Sequence, residues 1–333
     1  MYGNYDGDSS GSPYEIKEFY DTKNGFIDLR RRQEVLDFNA ELFPAKSRIT
    51  DDSILTGATI EVLLDFHDGR ISNLAPKRYE EKHKEYFYLY NKNETDVDFF
   101  PTTFSRNLSK VATSSTGNGK SAGNGSAMRV APIAFYITRM NQIDKSKINL
   151  LNINKSNKIS SLITEQARSS CLWSHSNSSA ILWTEALSLA IYIALTEPDN
   201  PKSKIKREVE KYTGYSLDMD FNELQRKNSF SSLAEKTVPL SIIAYLNSID
   251  FDDALRKALS LGGDTDTIAC MACGLAEAEY GIPNYFKHKA QSYLDERILA
   301  NTERFYKILK LDEFYKAREK SKPNKVKKEK ILR

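Results

Sequence analysis

From Ile54 onward, apolar residues recur at intervals of three and four positions, the period of a helix with one buried face. Ile54, Leu55, Ala58, Val62 and Leu63 mark one face of a helix that Thr50, Asp51, Asp52 and Ser53 would cap. Ala254, Leu255, Ala258 and Leu259 repeat the pattern over Phe251–Leu261, with Arg256 and Lys257 expected to face water. The stretches 130–140, 159–173, 180–195, 240–246, 268–280 and 285–309 read as helices in the same way. Short strands alternating with helices are not found, which argues against a dinucleotide-binding fold and for an all-α protein. The interruptions, chiefly 22–47, 91–103, 114–125 and 142–158, are rich in Gly, Ser, Asn and Lys and read as loops. None has the composition of an interdomain linker, so a single helical bundle over residues 1–315 is expected.

Composition refines this picture. The chain has 333 residues, 40% hydrophobic, which is ample for one large core. The most apolar stretch, 180–195, is shorter than a bilayer span and contains Glu185, so it reads as a buried helix. Three cysteines, Cys171, Cys270 and Cys273, cannot build a disulfide framework. Cys270 and Cys273 have CxxC spacing but no second pair or nearby histidine pair, and read as small core residues. With no charged and apolar leader at the start, a cytoplasmic location is expected. The last 18 residues, 316–333, carry +7 of a chain total of +3, leaving the body at −4. This tail lacks aromatic residues, and its composition suits a solvated, disordered segment better than an accessory anion-binding arm.

Candidate chemistry lies in two acidic clusters far apart in the chain. Thr50-Asp51-Asp52-Ser53 and Gly262-Gly263-Asp264-Thr265-Asp266-Thr267 each crowd carboxylates and hydroxyls at the head of a helix-like stretch. Helix caps use these residue types, but capping needs only one or two of them. Two dense clusters instead suggest a bound hard cation, Mg²⁺, Mn²⁺ or Ca²⁺, held by oxygen ligands. Asp51, Asp52, Asp264 and Asp266 would supply charge for two ions, with the Thr50 and Thr267 hydroxyls completing the set.

Three further segments could touch a substrate. Glycines between 117 and 125 lead into Ser126-Ala127-Met128-Arg129, where freed backbone amides before a helix would form an anion cradle. The triplet Gly119-Lys120-Ser121 mimics a Walker A ending, but Ser114 stands where the first glycine is needed and no strand precedes it. The segment 7–15 reads as a tight turn closed by Glu15, a candidate acid or base. His175 sits among capping residues before the 180–195 helix.

Taken in order, these segments resemble the ADP-ribosylglycohydrolase family. The run 7–15 resembles its GDxxGSPYE start, 50–53 its TDDT motif, 121–129 its GNGAAMR loop, and 262–267 its GGDTDT motif, while His175 falls at its TH or SH step. The resemblance covers about residues 1–300. It implies an all-α orthogonal bundle with a binuclear Mg²⁺ or Mn²⁺ site, two ions held by Thr50, Asp51, Asp52, Asp264, Asp266 and Thr267. It implies a catalytic set of Glu15, Asp51 and Asp52, and substrate contacts from Ser121, Ala122, Gly123, Asn124, Gly125 and His175. The implied reaction is hydrolysis of the C1″ bond that joins ADP-ribose to a protein or small-molecule acceptor, releasing ADP-ribose. Arginine is the expected acceptor, serine the alternative, and a metal-dependent ADP-ribose-binding module the rival from another class. A monomer acting without membrane or nucleic acid is expected. The sequence departs from the family pattern at the polar lead Asn4-Tyr5-Asp6 and at Ser53 in place of Thr.

Overall fold

The computed structural model describes residues 1–14, 20–21, 26–27, 29–45, 47–91, 119–151 and 158–321. Among these, sixteen α-helices form one bundle, accompanied by a two-stranded ribbon that pairs Tyr20–Asp21 with Phe26–Ile27. The expected all-α class is what the structure shows.

The helix α1 (Tyr2–Gly11) is buried along its whole length and lies along α13 (Thr265–Tyr280). The expected tight turn over 7–15 is instead helix as far as Gly11, and the glycines of this helix serve close packing. Gly3, Gly7 and Gly11 recur every fourth residue and so share one face. A Cβ at these positions would lie 2.5 Å from the Cys273 oxygen, 2.3 Å from the Ala269 oxygen and 2.4 Å from the Asp266 Cα. Only glycine lets the two backbones approach this closely, and the approach brings Asp8 beside the head of α13.

After α2 (Leu29–Glu34), α3 (Asp51–His67) is buried nearly all round, as a helix at the centre of a bundle must be. Then follow α4 (Pro76–Asn91), α5 (Ala131–Ile143), α6 (Lys145–Asn149), α7 (Ile159–Cys171), α8 (Ser178–Thr196), α9 (Pro201–Thr213), α10 (Phe221–Lys227) and α11 (Ala234–Leu246). By length and composition alone α8 could cross a membrane, but Ala186, Ala190 and Ala194 on it are wholly buried in the bundle. The helix α12 (Phe251–Leu261) has the expected bounds, and Asp250 caps it by accepting from Asp253 N at 2.9 Å.

Three expectations are corrected. Arg256 on α12 does not face water: its guanidinium is buried and donates to the carbonyls of Asp37 (2.6 Å) and Phe38 (3.0 Å), tying down the turn after α2. The stretch 285–309 is two helices, α14 (Asn284–Tyr293) and α15 (Glu296–Leu309). Asp295 divides them because its carboxylate accepts from Arg297 N and Ile298 N (2.8 and 3.0 Å), a cap that starts a new helix. Residues 316–321, expected in the disordered tail, form the end of α16 (Leu311–Ser321). Arg318 secures that end by donating to the carbonyls of Ala194 and Glu197 (both 2.7 Å). Residues 322–333 lie outside the described residues. All three cysteines are free and buried, which raises the Cys270 and Cys273 thiols well above their usual range, as suits core residues.

Candidate metal centre

The two acidic clusters, more than 200 residues apart in sequence, meet. The Thr267 hydroxyl donates to Asp52 Oδ2 at 3.2 Å, and the Thr50 hydroxyl lies 3.4 Å from the same oxygen. Asp8 joins them. Its Oδ1 accepts from the Thr50 hydroxyl at 2.7 Å, and its Oδ2 accepts from Thr50 N (2.8 Å), Ser53 N (3.1 Å) and the Ser53 hydroxyl. One carboxylate oxygen each from Asp8, Asp52 and Asp266 lie within 4.8 Å of one another, and all three residues are buried.

Asp264 stands at the head of α13, where a capping role was the simplest alternative. Its side chain makes no capping bond. Instead Asp264 Oδ2 accepts from the Asn124 amide at 2.6 Å, which fastens the glycine-rich loop to the acidic cluster. The turn before it depends on Gly262 (φ 64°) and Gly263 (φ 85°), a left-handed conformation that favours glycine. Asp51 is half-buried; its charge acts on Asp52 and on Arg129.

Crowding these groups away from water has an electrostatic cost. Burial pushes Asp8 up to about 6, against the hydrogen bonds from Ser53 and Thr50. Asp52 is raised well above the carboxylate range by burial and by the charges of Asp8, Asp51 and Asp264, and burial also raises Asp264. Asp52 Oδ1 is buried without a hydrogen-bond partner among the described residues. The Cys270 thiol, a weak donor close enough to feel Asp52, is directed at the Met128 carbonyl (3.5 Å). A buried, unpaired carboxylate oxygen among like charges and an all-oxygen donor set is the environment that a divalent cation relieves.

Beside the cluster, the segment 119–125 is held from two sides. Ser176 N donates to the Gly119 carbonyl (2.6 Å), Asn124 N to the Ser232 carbonyl (2.8 Å) and Ala234 N to the Ala122 carbonyl (3.0 Å). Ser121 is exposed, and its hydroxyl accepts from Gly123 N at 3.1 Å. His175 is buried against this segment, with Nδ1 2.7 Å from the Ser174 hydroxyl. A Cβ on Gly125 would lie 3.0 Å from its Nε2, so glycine there makes room for the imidazole. Burial and the charge of Arg129 hold His175 down to about 3, so the ring is neutral near pH 7. Arg129, also buried, donates to the Gly125 carbonyl (2.6 Å) and the Ser174 hydroxyl (2.7 Å), joining the loop to the histidine segment.

Reading the sequence for ligands missed Asp8. Its signal was present in the Gly7-Asp8 pair, but the glycines around it suggested a turn. Glu15 lies outside the described residues. The described chain reaches the cluster at Tyr14, whose carbonyl accepts from the Thr265 hydroxyl at 3.3 Å.

The sequence model of the ADP-ribosylglycohydrolase family matches residues 1–321, and the chain belongs to that family. An uncharacterised protein of Archaeoglobus fulgidus is 27% identical over 206 residues, an alignment covering 56% of this chain and 60% of that protein. The Danio rerio protein named ADP-ribosylhydrolase ARH3 is also 27% identical over 206 residues, covering 50% of this chain and 51% of its own length. The chain thus spans less than two thirds of the length of these relatives. A solved structure described as an ADP-ribosylglycohydrolase-related protein complex shares the fold, with a TM-score of 0.58 at 21% identity over 92% of this chain and 95% of the other.

Proposed function

We propose that this protein hydrolyses the C1″ glycosidic bond between ADP-ribose and an acceptor, and that the acceptor is arginine on a modified protein. The observation that carries the reading is the Asn124–Asp264 bond of 2.6 Å, which joins a metal-ready acidic cluster to a glycine-rich loop suited to anions. Family membership supports the same chemistry. In this reading Thr50, Asp51, Asp52, Asp264, Asp266 and Thr267, with Asp8 beside them, hold two divalent ions, Mg²⁺ or Mn²⁺. When bound, such ions supply Lewis acidity and fixed points for ribose hydroxyls and water.

The chain's own groups do the rest. In the 121–125 loop the amides of Gly123 and Asn124 are already bonded within the protein, so those of Ser121, Ala122 and Gly125 hold the diphosphate, and the Arg129 charge beneath the loop favours an anion there. His175, neutral, offers a hydrogen bond without adding a proton source. Glu15 accepts a proton from the attacking water as its oxygen bonds to C1″. The C1″–nitrogen bond breaks, and the departing guanidine nitrogen takes up a proton, so one water is divided between the two products. Three buried, free cysteines suit a reducing compartment, and we propose a cytoplasmic setting.

The test is incubation with Mg²⁺ or Mn²⁺ and arginine-, serine- and nucleobase-linked ADP-ribose, with free ADP-ribose as the readout. Release from the arginine-linked substrate supports the full reading. A serine preference overturns the acceptor alone. No release from any substrate, together with measurable ADP-ribose binding, overturns the enzyme reading in favour of a binding module.

A further inference from the structure

Asn124 belongs by sequence to the loop assigned to substrate, but its side chain points elsewhere. It is buried, at 6% exposure, and its amide nitrogen is 2.6 Å from Asp264 Oδ2. An ionised carboxylate only accepts hydrogen bonds, so the amide must present its N–H₂ to it. The backbone of Asn124 is held on both sides: its N–H donates to the Ser232 carbonyl (2.8 Å), and its carbonyl accepts from Ala127 N (2.8 Å) and Met128 N (3.1 Å). A side chain anchored in this way has few rotamers available, so its bond fixes where an Asp264 oxygen points. Asp264 has no capping bond of its own to do that work. Asp266 and Thr267 also hydrogen-bond its carboxylate, but from its own helix; the Asn124 amide reaches it from the facing loop, and without that bond the Oδ2 side is left unpartnered among like charges.

We propose that Asn124 is a positioning residue of the metal centre, holding the Asp264 carboxylate in its ligating orientation, so that the loop facing the substrate is also part of the frame that binds metal. This rests on the reading that the acidic cluster holds divalent ions. Groups that orient a metal ligand through a hydrogen bond typically account for ten- to a hundredfold in metal affinity, and Asn124 is expected to fall in that range.

The experiment is calorimetric titration of Mn²⁺ into the full chain, comparing wild type, Asn124→Ala and Ser121→Ala, with melting in EDTA as a second measurement. Ser121 lies on the same loop and bonds only within it, to Gly123 N, among the described contacts. The expected result is a Kd for Mn²⁺ at least tenfold weaker in Asn124→Ala and within twofold of wild type in Ser121→Ala. A purely structural role would lower the metal-free melting temperature of Asn124→Ala and leave its Mn²⁺ affinity unchanged, and that result overturns the proposal. If the alanine protein does not fold, Asn124→Ser replaces it, because serine keeps a polar group there but is too short to reach Asp264; unchanged Mn²⁺ affinity in that variant also overturns the proposal. Wild type that takes up no Mn²⁺, or takes it up equally well as Asp52→Asn, overturns instead the metal reading beneath the inference.

Discussion

Replacing Gly7 by alanine tests how α1 places Asp8. The new Cβ would lie 2.3 Å from the Ala269 oxygen, 2.4 Å from its carbon and 2.6 Å from Cys270 N, all backbone atoms of α13. Ordinary contact begins near 3.4 Å, so α1 must retreat by about 1 Å from a helix that cannot yield at one point. Overpacking of this kind costs about 1–3 kcal/mol, and contacts with backbone place it at about 3. Alanine returns about 1 kcal/mol through its better helix propensity. The net loss is about 2 kcal/mol, or about 3 °C in melting temperature at an unfolding entropy of about 2.1 cal/mol/K per residue over a chain of 333 residues.

Gly57→Ala on α3 is the matched control. There the three atoms nearest the new methyl all belong to the Ile298 side chain, the first at 3.1 Å, and a side chain can shift by a few tenths of an ångström. Its propensity gain should leave stability unchanged or raised by up to about 1 kcal/mol. Retreat of α1 also draws Asp8 away from Thr50 and Ser53, so Gly7→Ala should lose its stabilisation by Mn²⁺ while Gly57→Ala keeps it. Calorimetric melting of both variants, with and without Mn²⁺, checks the argument. It fails if Gly7→Ala melts at or above wild type, or responds to Mn²⁺ as wild type does.

Other expectations follow from the site. The double variant Asp264→Asn, Asp266→Asn removes two buried like charges, so it should melt higher than wild type in EDTA yet gain nothing from Mn²⁺; a wild-type Mn²⁺ shift would remove these residues from the ligand set. Glu15→Gln should bind ADP-ribose with unchanged affinity and turn over about 10²-fold more slowly, and unchanged turnover would make Glu15 a bystander. Because His175 is held down to about 3 in the folded chain, against about 6.5 when unfolded, the unfolded state binds the extra proton as pH falls below 6.5. Stability from this group is therefore present above pH 6.5 and is lost on acidification, by about 2 kcal/mol between pH 6.5 and 5. His175→Asn should flatten that slope in urea titrations, and an unchanged slope would count against a neutral, buried ring.

Local sequence determined a good deal. The 3.6-residue periodicity of 251–261 and the Asp250 cap are encoded within a few positions, and that helix has the bounds its pattern implies. The two acidic clusters were visible as unusual concentrations of oxygen ligands, because the chemistry of a carboxylate does not depend on the fold. The first helix was hidden, since Gly3, Gly7 and Gly11 weaken helix propensity locally and are explained only by the backbone of α13 across the interface. The burial of Arg256 was hidden for the same reason: its carbonyl partners lie 216–221 positions away. Tertiary structure brought Asp8 into the cluster, from a Gly7-Asp8 pair that locally suggested only a turn, and turned Asn124 toward Asp264, 140 positions distant. Periodicity and capping act over a few residues, whereas close approach and buried hydrogen bonds depend on what the rest of the chain brings to the other side.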